Sequence, residues 1–383
     1  MRARVIAYYL PQYYPTPENN KFWGKGFTEW TNVAKAKPLF RGHYQPQIPA
    51  DLGFYDLRLP EVREEQAKLA REAGIEGFCY WHYWFGNGKT TLDLPFNEVL
   101  KSGKPDFPFC LGWANHSWTT ETWDKARTFS KETRIFDQTY PGEKDYVEHF
   151  EKVLPAFKDH RYITVEGKPL FIIYDPDSFK DVSNFIKIWN RLARESGLKG
   201  VYFVGKCDTL PKLNLKEANK AEKLIMPRYQ KLLDEGFDGV NSNTLKYAEL
   251  RATGVLHKAF HSIARRFFGG LVLDKYKYKD IIDHFVTPED YKDRIYPQLI
   301  PRRDRSPRSG RKAMIYYDST PALFKQAAEN AIKCVENRDY DHRLIFLNAW
   351  NEWGEGAYME PDLKFGHGYI DALHEALNSK ENK

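Results

Sequence analysis

Short apolar runs recur along the chain and alternate with stretches in which apolar residues stand three or four positions apart. The first pattern is typical of strands buried on both faces, and the second is typical of helices that cover a sheet. We predict eight strands, at residues 5–10, 77–85, 107–115, 169–175, 201–207, 236–243, 296–301 and 344–347. Helices are predicted at residues 60–72, 97–101, 145–157, 182–196, 321–337 and 369–377, and over part of 215–233.

This alternation predicts an α/β fold with a parallel sheet. Parallel strands need a long connection, usually a helix, and eight such units close a (β/α)8 TIM barrel. A single barrel with long loops after its strands fits 383 residues better than a doubly wound sheet does. We therefore predict one catalytic domain over residues 1–383, with its site at the carboxyl ends of the strands.

Residues 245–295 are too long for an ordinary barrel loop and are predicted to be an insertion. Within it, residues 255–268 have the sequence VLHKAFHSIARRFF, which is a basic amphipathic pattern. Most amphipathic helices turn their apolar side toward a core, so packing on the barrel rim is the main interpretation. The alternative is weak contact with a membrane surface, which basic amphipathic helices also make.

Composition narrows the class of protein. The net charge of +6 is small for this length and does not demand a nucleic-acid partner. The four cysteines lack metal-site spacing, which predicts free buried thiols, and we expect no metal and no other cofactor. No apolar run reaches the length of a membrane span, and the first residues lack the apolar core of a signal peptide, so we predict a cytoplasmic location.

The clearest chemical candidate follows the last predicted strand. Two acids, Glu352 and Glu355, lie there among tryptophans, asparagines and the glycines Gly354 and Gly356. Glycoside cleavage needs one group that protonates the leaving oxygen and another that assists at the anomeric carbon. Two carboxyl groups in different surroundings can divide these roles, because their pKa values then differ. Glu352 and Glu355 are therefore the predicted catalytic residues.

Other polar and aromatic residues collect where strands end and in the loops that follow, as binding groups do in barrel enzymes. An aromatic content of 15% suits stacking on sugar rings, although aromatic residues also simply pack in a core. We predict that a poly- or oligosaccharide binds to Tyr13, Glu29, Trp30, His43, Tyr44, His82, Trp84, Trp113, Asn115, His116, Trp118, Lys206, Trp350 and Asn351.

Several segments carry a family resemblance. NEWGEG at 351–356, followed by Glu360 and Pro361, resembles the acid-bearing segment of family 99 glycoside hydrolases, the endo-α-mannosidases and endo-α-mannanases. Over nearly the whole chain, the closer resemblance is to the related WbsX-like proteins, which occur among bacterial polysaccharide genes and are named as glycosyltransferases. It is carried by AYYLPQYYP, FTEWTNV, KPLFRGHYQP, GFCYWHYWF and CLGWANHSW.

The family 99 resemblance implies a retaining hydrolase that forms no sugar ester with the enzyme. It implies that Glu352 hydrogen-bonds or deprotonates the 2-hydroxyl, which attacks C1 and gives a 1,2-anhydro sugar. It also implies that Glu355 protonates the departing oxygen and then activates water. The 2-hydroxyl must then be trans to the leaving group, as it is in α-mannosides and α-rhamnosides.

Two other functions stay open at this point. A glycosyltransferase of lipopolysaccharide or capsule biosynthesis is favoured if Asp175 and Asp177, after the fourth strand, hold a divalent cation and a nucleotide diphosphate. The acids after the last strand would then have no evident role, so we favour the hydrolase. A sugar-binding barrel without catalysis is the third interpretation. We interpret the arginine-rich stretch 302–311 as a solvated charged loop, with contact to an anionic saccharide or a lipid phosphate as the alternative.

Overall fold

Eight parallel strands close into a barrel. The computed structural model describes residues 2–123, 133–210, 221–268 and 272–379. The barrel strands are β1 (Arg4–Tyr9), β2 (Gly77–His82), β3 (Phe109–Trp113), β4 (Lys168–Ile173), β5 (Tyr202–Asp208), β6 (Gly239–Asn243), β7 (Ile295–Leu299) and β8 (Leu344–Leu347). They pair in the order β3, β2, β1, β8, β7, β6, β5, β4, and β3 also pairs with β4. Since each predicted strand overlaps one of these, the predicted (β/α)8 barrel is confirmed.

The barrel wall is buried on both faces, which explains the uninterrupted apolar runs. Every residue of β1, β2, β3 and β8 is buried. Aromatic side chains fill part of the interior, where the rings of Tyr8 and Trp81 stack with centroids 4.5 Å apart. All four cysteines are buried and free, as their spacing predicted. The carboxyl ends of the strands therefore stand on a closely packed support.

Helices and short strands cover this wall and its rim. The α-helices are α1 (Pro17–Trp23), α2 (Glu29–Lys35), α3 (Pro60–Glu72), α4 (Leu94–Ser102), α5 (Glu143–Phe157), α6 (Val182–Glu195), α7 (Ala221–Asp234), α8 (Leu245–Phe268), α9 (Tyr278–Ile281), α10 (Ser306–Ser309), α11 (Pro321–Val335) and α12 (Gly368–Asn378). Short strands lie at Trp118–Thr119, Arg134–Phe136, Thr164–Val165, Asp274–Lys277, Arg303–Asp304, Met314–Tyr317, Asn351–Glu352 and Ala357–Tyr358. The predicted helices are confirmed with small shifts of their ends, except that part of 215–233 lies outside the described residues.

Helices α1 and α2 were not predicted, because they lie in a stretch rich in polar and turn residues. α1 begins after Thr16, whose hydroxyl accepts a hydrogen bond from the backbone N–H of Asn19 at 3.2 Å. α2 follows Thr28, whose side chain forms a capping box with Thr31. Such caps stabilise short helices that hydrophobic periodicity does not reveal. α2 matters for the site because it begins with Glu29.

The arginine-rich stretch is folded into a small sheet with the insertion. Met314–Tyr317 pairs in parallel with Asp274–Lys277 and antiparallel with Arg303–Asp304. Arg302, Arg303 and Arg308 are only 5, 9 and 6% exposed. The interpretation of 302–311 as a solvated charged loop was therefore wrong. Arginine is this deeply buried only where carboxylates or carbonyls receive its donors, and those partners lie elsewhere in the chain.

Helix α8 changes direction at Gly254, where φ is 78° and ψ is 163°. Before this kink the helix packs inward through the buried residues Leu245, Tyr247, Ala248 and Leu250. Beyond it, the side chains of Leu256, Phe260, Ile263 and Phe267 are 87, 70, 56 and 75% exposed. These four side chains do not pack on the barrel rim. Tyr278, Ile281 and Phe285 of the same insertion are buried in the core, so the main interpretation holds for the insertion but not for this apolar face. Among the helices in the described ranges, none is long and apolar enough to cross a membrane.

Candidate active site

A tight hairpin after β8 brings the two predicted catalytic acids together. Asn351–Glu352 pairs antiparallel with Ala357–Tyr358, and a single 3₁₀ turn, Trp353–Glu355, joins them. Residues three apart eclipse each other in a 3₁₀ turn, so Glu352 and Glu355 can face the same side. The Asn351 side chain accepts a hydrogen bond from the Leu10 backbone N–H at 2.7 Å and donates one to the Leu10 carbonyl at 3.0 Å. This fastens the hairpin to the end of β1.

A buried carboxyl group supports the hairpin from behind. Glu360 accepts hydrogen bonds from Trp353 Nε1 at 2.6 Å, from Gln66 Nε2 at 2.6 Å and from the Tyr55 hydroxyl at 2.9 Å. Burial raises the pKa of Glu360 to about 7, and the three hydrogen bonds limit that rise. Glu360 thus links Trp353, near the middle of the turn, to Gln66 and Tyr55 from other parts of the chain and holds its side chain in one position.

Glu352 and Glu355 line a cleft of about 400 Å³ at the carboxyl ends of the strands. Two other predicted site residues, His116 and Lys206, also line this cleft. The wall further includes Trp81, Tyr83, Trp123, Tyr174, Asn243, Arg303, Arg305, Arg308 and Asn348. Aromatic rings beside charged and amide groups are the composition expected of a site that holds a sugar by stacking and hydrogen bonds.

Three arginines converge on Glu355. Arg308 Nη1 and Arg305 Nη2 lie 2.8 and 2.9 Å from its Oε1, and Arg303 Nη2 lies 2.8 Å from its Oε2. Burial alone would raise the pKa of Glu355, but these guanidinium groups outweigh burial and hold that pKa well below its usual range. These contacts therefore favour the ionised form of Glu355.

Glu352 has different surroundings. Its Oε1 accepts a hydrogen bond from Trp81 Nε1 at 3.1 Å. Burial raises the pKa of Glu352, and the neighbouring Glu355 carboxylate adds to the rise, while Arg308 and Arg303 oppose it. The pKa values of the two acids are thus pushed apart, which is the condition for dividing proton donation and proton acceptance between them.

Arg308 also explains why a glycine stands between the two acids. Its Nε and Nη2 atoms donate to the two oxygens of Glu29 at 2.9 and 2.8 Å, and Glu29 has no exposed surface. A Cβ atom on Gly354 would lie 1.6 Å from Glu29 Oε1. Only glycine leaves space for the buried carboxylate that orients Arg308 toward Glu355.

Lys206 projects into the cleft among aromatic rings. Its Nζ lies 5.1, 5.8 and 5.0 Å from the ring centroids of Tyr8, Trp81 and Tyr174. Burial lowers the pKa of Lys206, and nearby acids, Asp208 first among them, oppose that shift. A lysine surrounded by ring faces keeps its donors available for a ligand.

His116 adds a neutral group to the cleft wall. Burial lowers the pKa of His116 to about 4, so the ring is uncharged near neutral pH. Its Nδ1 atom is buried without a hydrogen-bond partner among the described residues. His116 can therefore exchange a hydrogen bond with a ligand hydroxyl, and its role in binding stays a prediction.

Several other predicted binding residues lie behind the cleft wall. His82 and His149 share a contact between their Nε2 atoms at 2.8 Å, and burial lowers the pKa of His82 to about 4. Trp84 stacks on His149, and Trp113 donates to the Trp84 carbonyl at 2.9 Å. Asn115 receives the Asp175 N–H at 2.7 Å and donates to its carbonyl. These contacts fasten β2, β3 and β4 together.

The remaining predicted residues support the loops. The Tyr13 hydroxyl bonds to the Asn351 carbonyl, and Trp30 Nε1 donates to the Tyr55 carbonyl at 2.8 Å. His43 Nε2 lies 2.7 Å from Asp304 Oδ2 and steadies the arginine-rich stretch. Tyr44 borders a second, much smaller cavity, whereas the fully buried Trp118 and Trp350 pack in the core. None of these side chains lines the cleft that holds Glu352 and Glu355.

The acids of the glycosyltransferase hypothesis lie in other interactions. Asp177 is held by Arg228 Nη2 at 2.5 Å and by Lys231 Nζ at 2.9 Å. Asp175 caps a short 3₁₀ helix by accepting a hydrogen bond from the Ser178 N–H at 3.3 Å. Both carboxylates thus have protein partners, and neither lines the cleft that holds Glu352 and Glu355.

Comparisons with known proteins identify the family of the chain. The family model described as "Glycosyltransferase WbsX" matches residues 5–373. Two proteins named WxcX, both from Xanthomonas campestris pv. campestris, are 34 and 33% identical over 380 and 384 residues. These alignments cover 98% of this chain but 50% of each relative, so the chain spans about half the length of the curated relatives it matches.

Solved structures show the same architecture. A glycoside hydrolase-like protein superposes with a TM-score of 0.58 at 13% identity, covering 99% of this chain and 94% of the other. A GH99 endo-alpha-mannosidase from Bacteroides thetaiotaomicron superposes with a TM-score of 0.51 at 16% identity, covering 97 and 94%. At such identities the likeness shows the fold alone. The family match rests on the sequence itself, and because it runs from β1 into α12, the chain belongs to the WbsX family.

Proposed function

We propose that this protein is a glycoside hydrolase that acts on a bacterial-type poly- or oligosaccharide through Glu352 and Glu355. The observation that carries the proposal is the pair itself, two carboxyl groups in one cleft whose pKa values are shifted in opposite directions. A hydrolase with one ionised and one protonated carboxyl can protonate the leaving oxygen and assist at C1 in the same encounter. The proposed catalytic domain is the whole barrel, 1–383.

The charged groups around Glu352 and Glu355 bear on which of the two acids donates the proton. The three arginines favour an ionised Glu355, and burial favours a protonated Glu352. The family 99 resemblance implies the reverse, with Glu355 as the proton donor. The proposal therefore names the pair, and the test with α-mannosyl fluoride described below identifies the proton donor. Either assignment is compatible with attack by the 2-hydroxyl on C1, and hence with α-manno- or α-rhamno-configured substrates.

A glycosyltransferase is the second candidate, and the family description favours it. The metal site that this function would need at Asp175 and Asp177 is disfavoured, because both carboxylates already have protein partners. Asp177 contacts two cationic side chains, and Asp175 accepts a backbone hydrogen bond. The similar solved structure from Bacteroides thetaiotaomicron is an endo-alpha-mannosidase, which supports the hydrolase only by analogy of fold.

The test compares wild type with Glu352→Gln, Glu355→Gln and Asp177→Asn on α-mannans and α-rhamnans, without nucleotide sugar, followed by mass spectrometry of the products. The hydrolase predicts cleavage that both glutamine variants lose and Asp177→Asn keeps. No cleavage of any glycan, together with sugar transfer from a nucleotide sugar that Asp177→Asn abolishes, would refute it. With α-mannosyl fluoride, whose leaving group needs little protonation, only the variant of the proton donor should regain activity.

We also propose a partner for the exposed apolar face of α8 beyond Gly254, namely an anionic membrane surface. Residues 255–268 contain no aspartate or glutamate and four exposed apolar side chains. Of the three lysines or arginines in this stretch, Lys258 pairs with Glu249 at 2.5 Å. Sedimentation with phosphatidylglycerol vesicles should carry down wild type, and much less of the Leu256→Ser/Phe260→Ser/Phe267→Ser variant. Equal recovery of the two proteins would refute the contact and favour a protein partner. A cytoplasmic location stays a prediction.

A further inference from the structure

Some cationic side chains on the cleft wall have hydrogen-bond donors that no acceptor of the described residues reaches. Arg303 and Arg305 each give an Nη2 donor to Glu355, but the Nε atoms of both are buried without a partner among the described residues. Lys206 meets ring faces, and in the described part of the chain no carboxylate binds its ammonium group. Buried cationic donors are costly to leave unsatisfied, so a site that keeps three of them together suits a ligand that supplies acceptors.

The carboxylate acceptors of Glu355 are already engaged, whereas Asn243 Oδ1 on the cleft wall has no partner among the described residues. Oε1 of Glu355 receives two guanidinium groups and Oε2 receives a third, while Oε1 of Glu352 receives Trp81. A sugar hydroxyl both donates and accepts, whereas carboxylate and phosphate oxygens only accept. A surplus in which cationic donors prevail therefore matches an anionic group better than a neutral hydroxyl.

We propose that Arg303, Arg305 and Lys206 form a subsite for an anionic group carried by the saccharide, either a carboxylate or a phosphate. The inference rests on the proposed function in that it names the kind of sugar that occupies the same cleft. All three side chains line that cleft beside Glu352 and Glu355, so the anionic group lies on, or next to, the sugar unit that reacts.

The mutual repulsion of these cations supports the subsite. Burial lowers the pKa of Lys206, and the positive charge of Arg303 lowers it further. An anion between the two groups relieves this repulsion.

The test measures binding rather than turnover. Calorimetric titrations of wild type with D-mannuronate, mannose 1-phosphate and inorganic phosphate are compared with methyl α-mannoside as the neutral probe. Arg305→Gln and Lys206→Met remove one cation each. Among the described residues Lys206 has no carboxylate partner, so Lys206→Met does not leave a carboxylate without its cation. Arg191→Gln is the matched control, because Arg191 pairs with Glu143 between the outer helices. Thermal melting verifies that each variant is folded.

We expect anionic probes to bind at least about tenfold more tightly than the neutral one, and to lose about tenfold in Arg305→Gln and Lys206→Met but not in Arg191→Gln. Preference for mannuronate or for phosphate identifies the source of the charge. Equal binding of neutral and anionic probes, or anion binding unaffected in both folded variants, overturns the subsite. Anion binding, together with sugar transfer from a nucleotide sugar that Asp177→Asn abolishes and no cleavage of any glycan, keeps the subsite and refutes only the hydrolase. Cleavage of neutral glycans without preference for anionic probes keeps the hydrolase and overturns the subsite.

Discussion

Replacing Arg308 with methionine removes the link between Glu29 and Glu355, two buried acids that the same guanidinium group contacts. The guanidinium group makes two hydrogen bonds to Glu29 and one to Glu355. Glu355 keeps Arg303 and Arg305, but Glu29, which has no exposed surface, loses both hydrogen bonds to its only cationic partner in the described residues. Breaking a buried ion pair from one side costs about 3–5 kcal/mol, because an uncompensated charge remains in the interior.

This cost translates into a measurable change in melting temperature. The entropy of unfolding is about 2.1 cal/mol/K per residue, which gives roughly 0.8 kcal/mol/K for the 383 residues of the chain. Arg308→Met should therefore melt about 4–6 °C below wild type in a circular dichroism scan at pH 7. The corresponding change at the exposed pair, Arg191→Met opposite Glu143, should lower melting by no more than about 1 °C.

A double variant isolates the pairing energy. In Glu29→Gln/Arg308→Met both charges are gone, so the loss should be smaller than the sum of the two single losses by about 1–3 kcal/mol. A double variant whose loss equals that sum would show that the pair is not energetically coupled. Melting of Arg308→Met within about 1 °C of wild type, the scatter of the exposed control, would refute the argument from burial altogether.

Three further predictions concern neighbouring residues. Gly354→Ala should cost about 1–3 kcal/mol and abolish activity, because the new Cβ lies 1.6 Å from Glu29 Oε1; normal melting and turnover would contradict this. The pKa of Glu355 is lowered on folding, so the ionised side chain stabilises the fold above about pH 4, and this stabilisation fades as pH falls. Glu355→Gln should therefore melt below wild type at pH 7. The difference between the two melting temperatures should narrow below about pH 4, and narrowing above that pH would contradict the argument. The pKa of Glu360 is raised to about 7, so ionisation of Glu360 destabilises the fold as pH rises. Between about pH 5 and 8, the free energy of unfolding of wild type should fall by about 2–3 kcal/mol relative to that of Glu360→Gln. A difference that stays constant over this range would refute the raised pKa.

The barrel could be predicted because its strands are recognisable locally. A strand covered on both faces contains little but apolar residues, as in β8, so each strand is visible without knowledge of its partners. The acid pair was visible for a related reason, since Glu352 and Glu355 are three residues apart and immediately follow such a strand. The first two helices were missed because caps, rather than periodicity, define them.

The binding residues were harder to predict. Of the fourteen proposed from strand ends and loops, only His116 and Lys206 line the cleft, while others such as His82 and Trp113 pack behind it. Position at a strand end does not say whether a side chain turns into the mouth of the barrel or back between strands and helices. Trp81 and Tyr83 do line the cleft, whereas His82 between them does not, so alternation along this one stretch was the signal that could have suggested them. Tyr174 lines the cleft as well.

By itself, the sequence determined the barrel, the place of the acids in it and the kind of chemistry that two carboxyl groups allow. Only the tertiary structure decided their charge states, because Arg303 and Arg308 stand 52 and 47 residues before Glu355, and Glu29 stands 279 residues before Arg308. The same is true of α8, whose basic amphipathic pattern is identical whether it faces a core or solvent. Periodicity records short-range order, whereas pKa values and exposure depend on groups that only folding brings within a few ångströms.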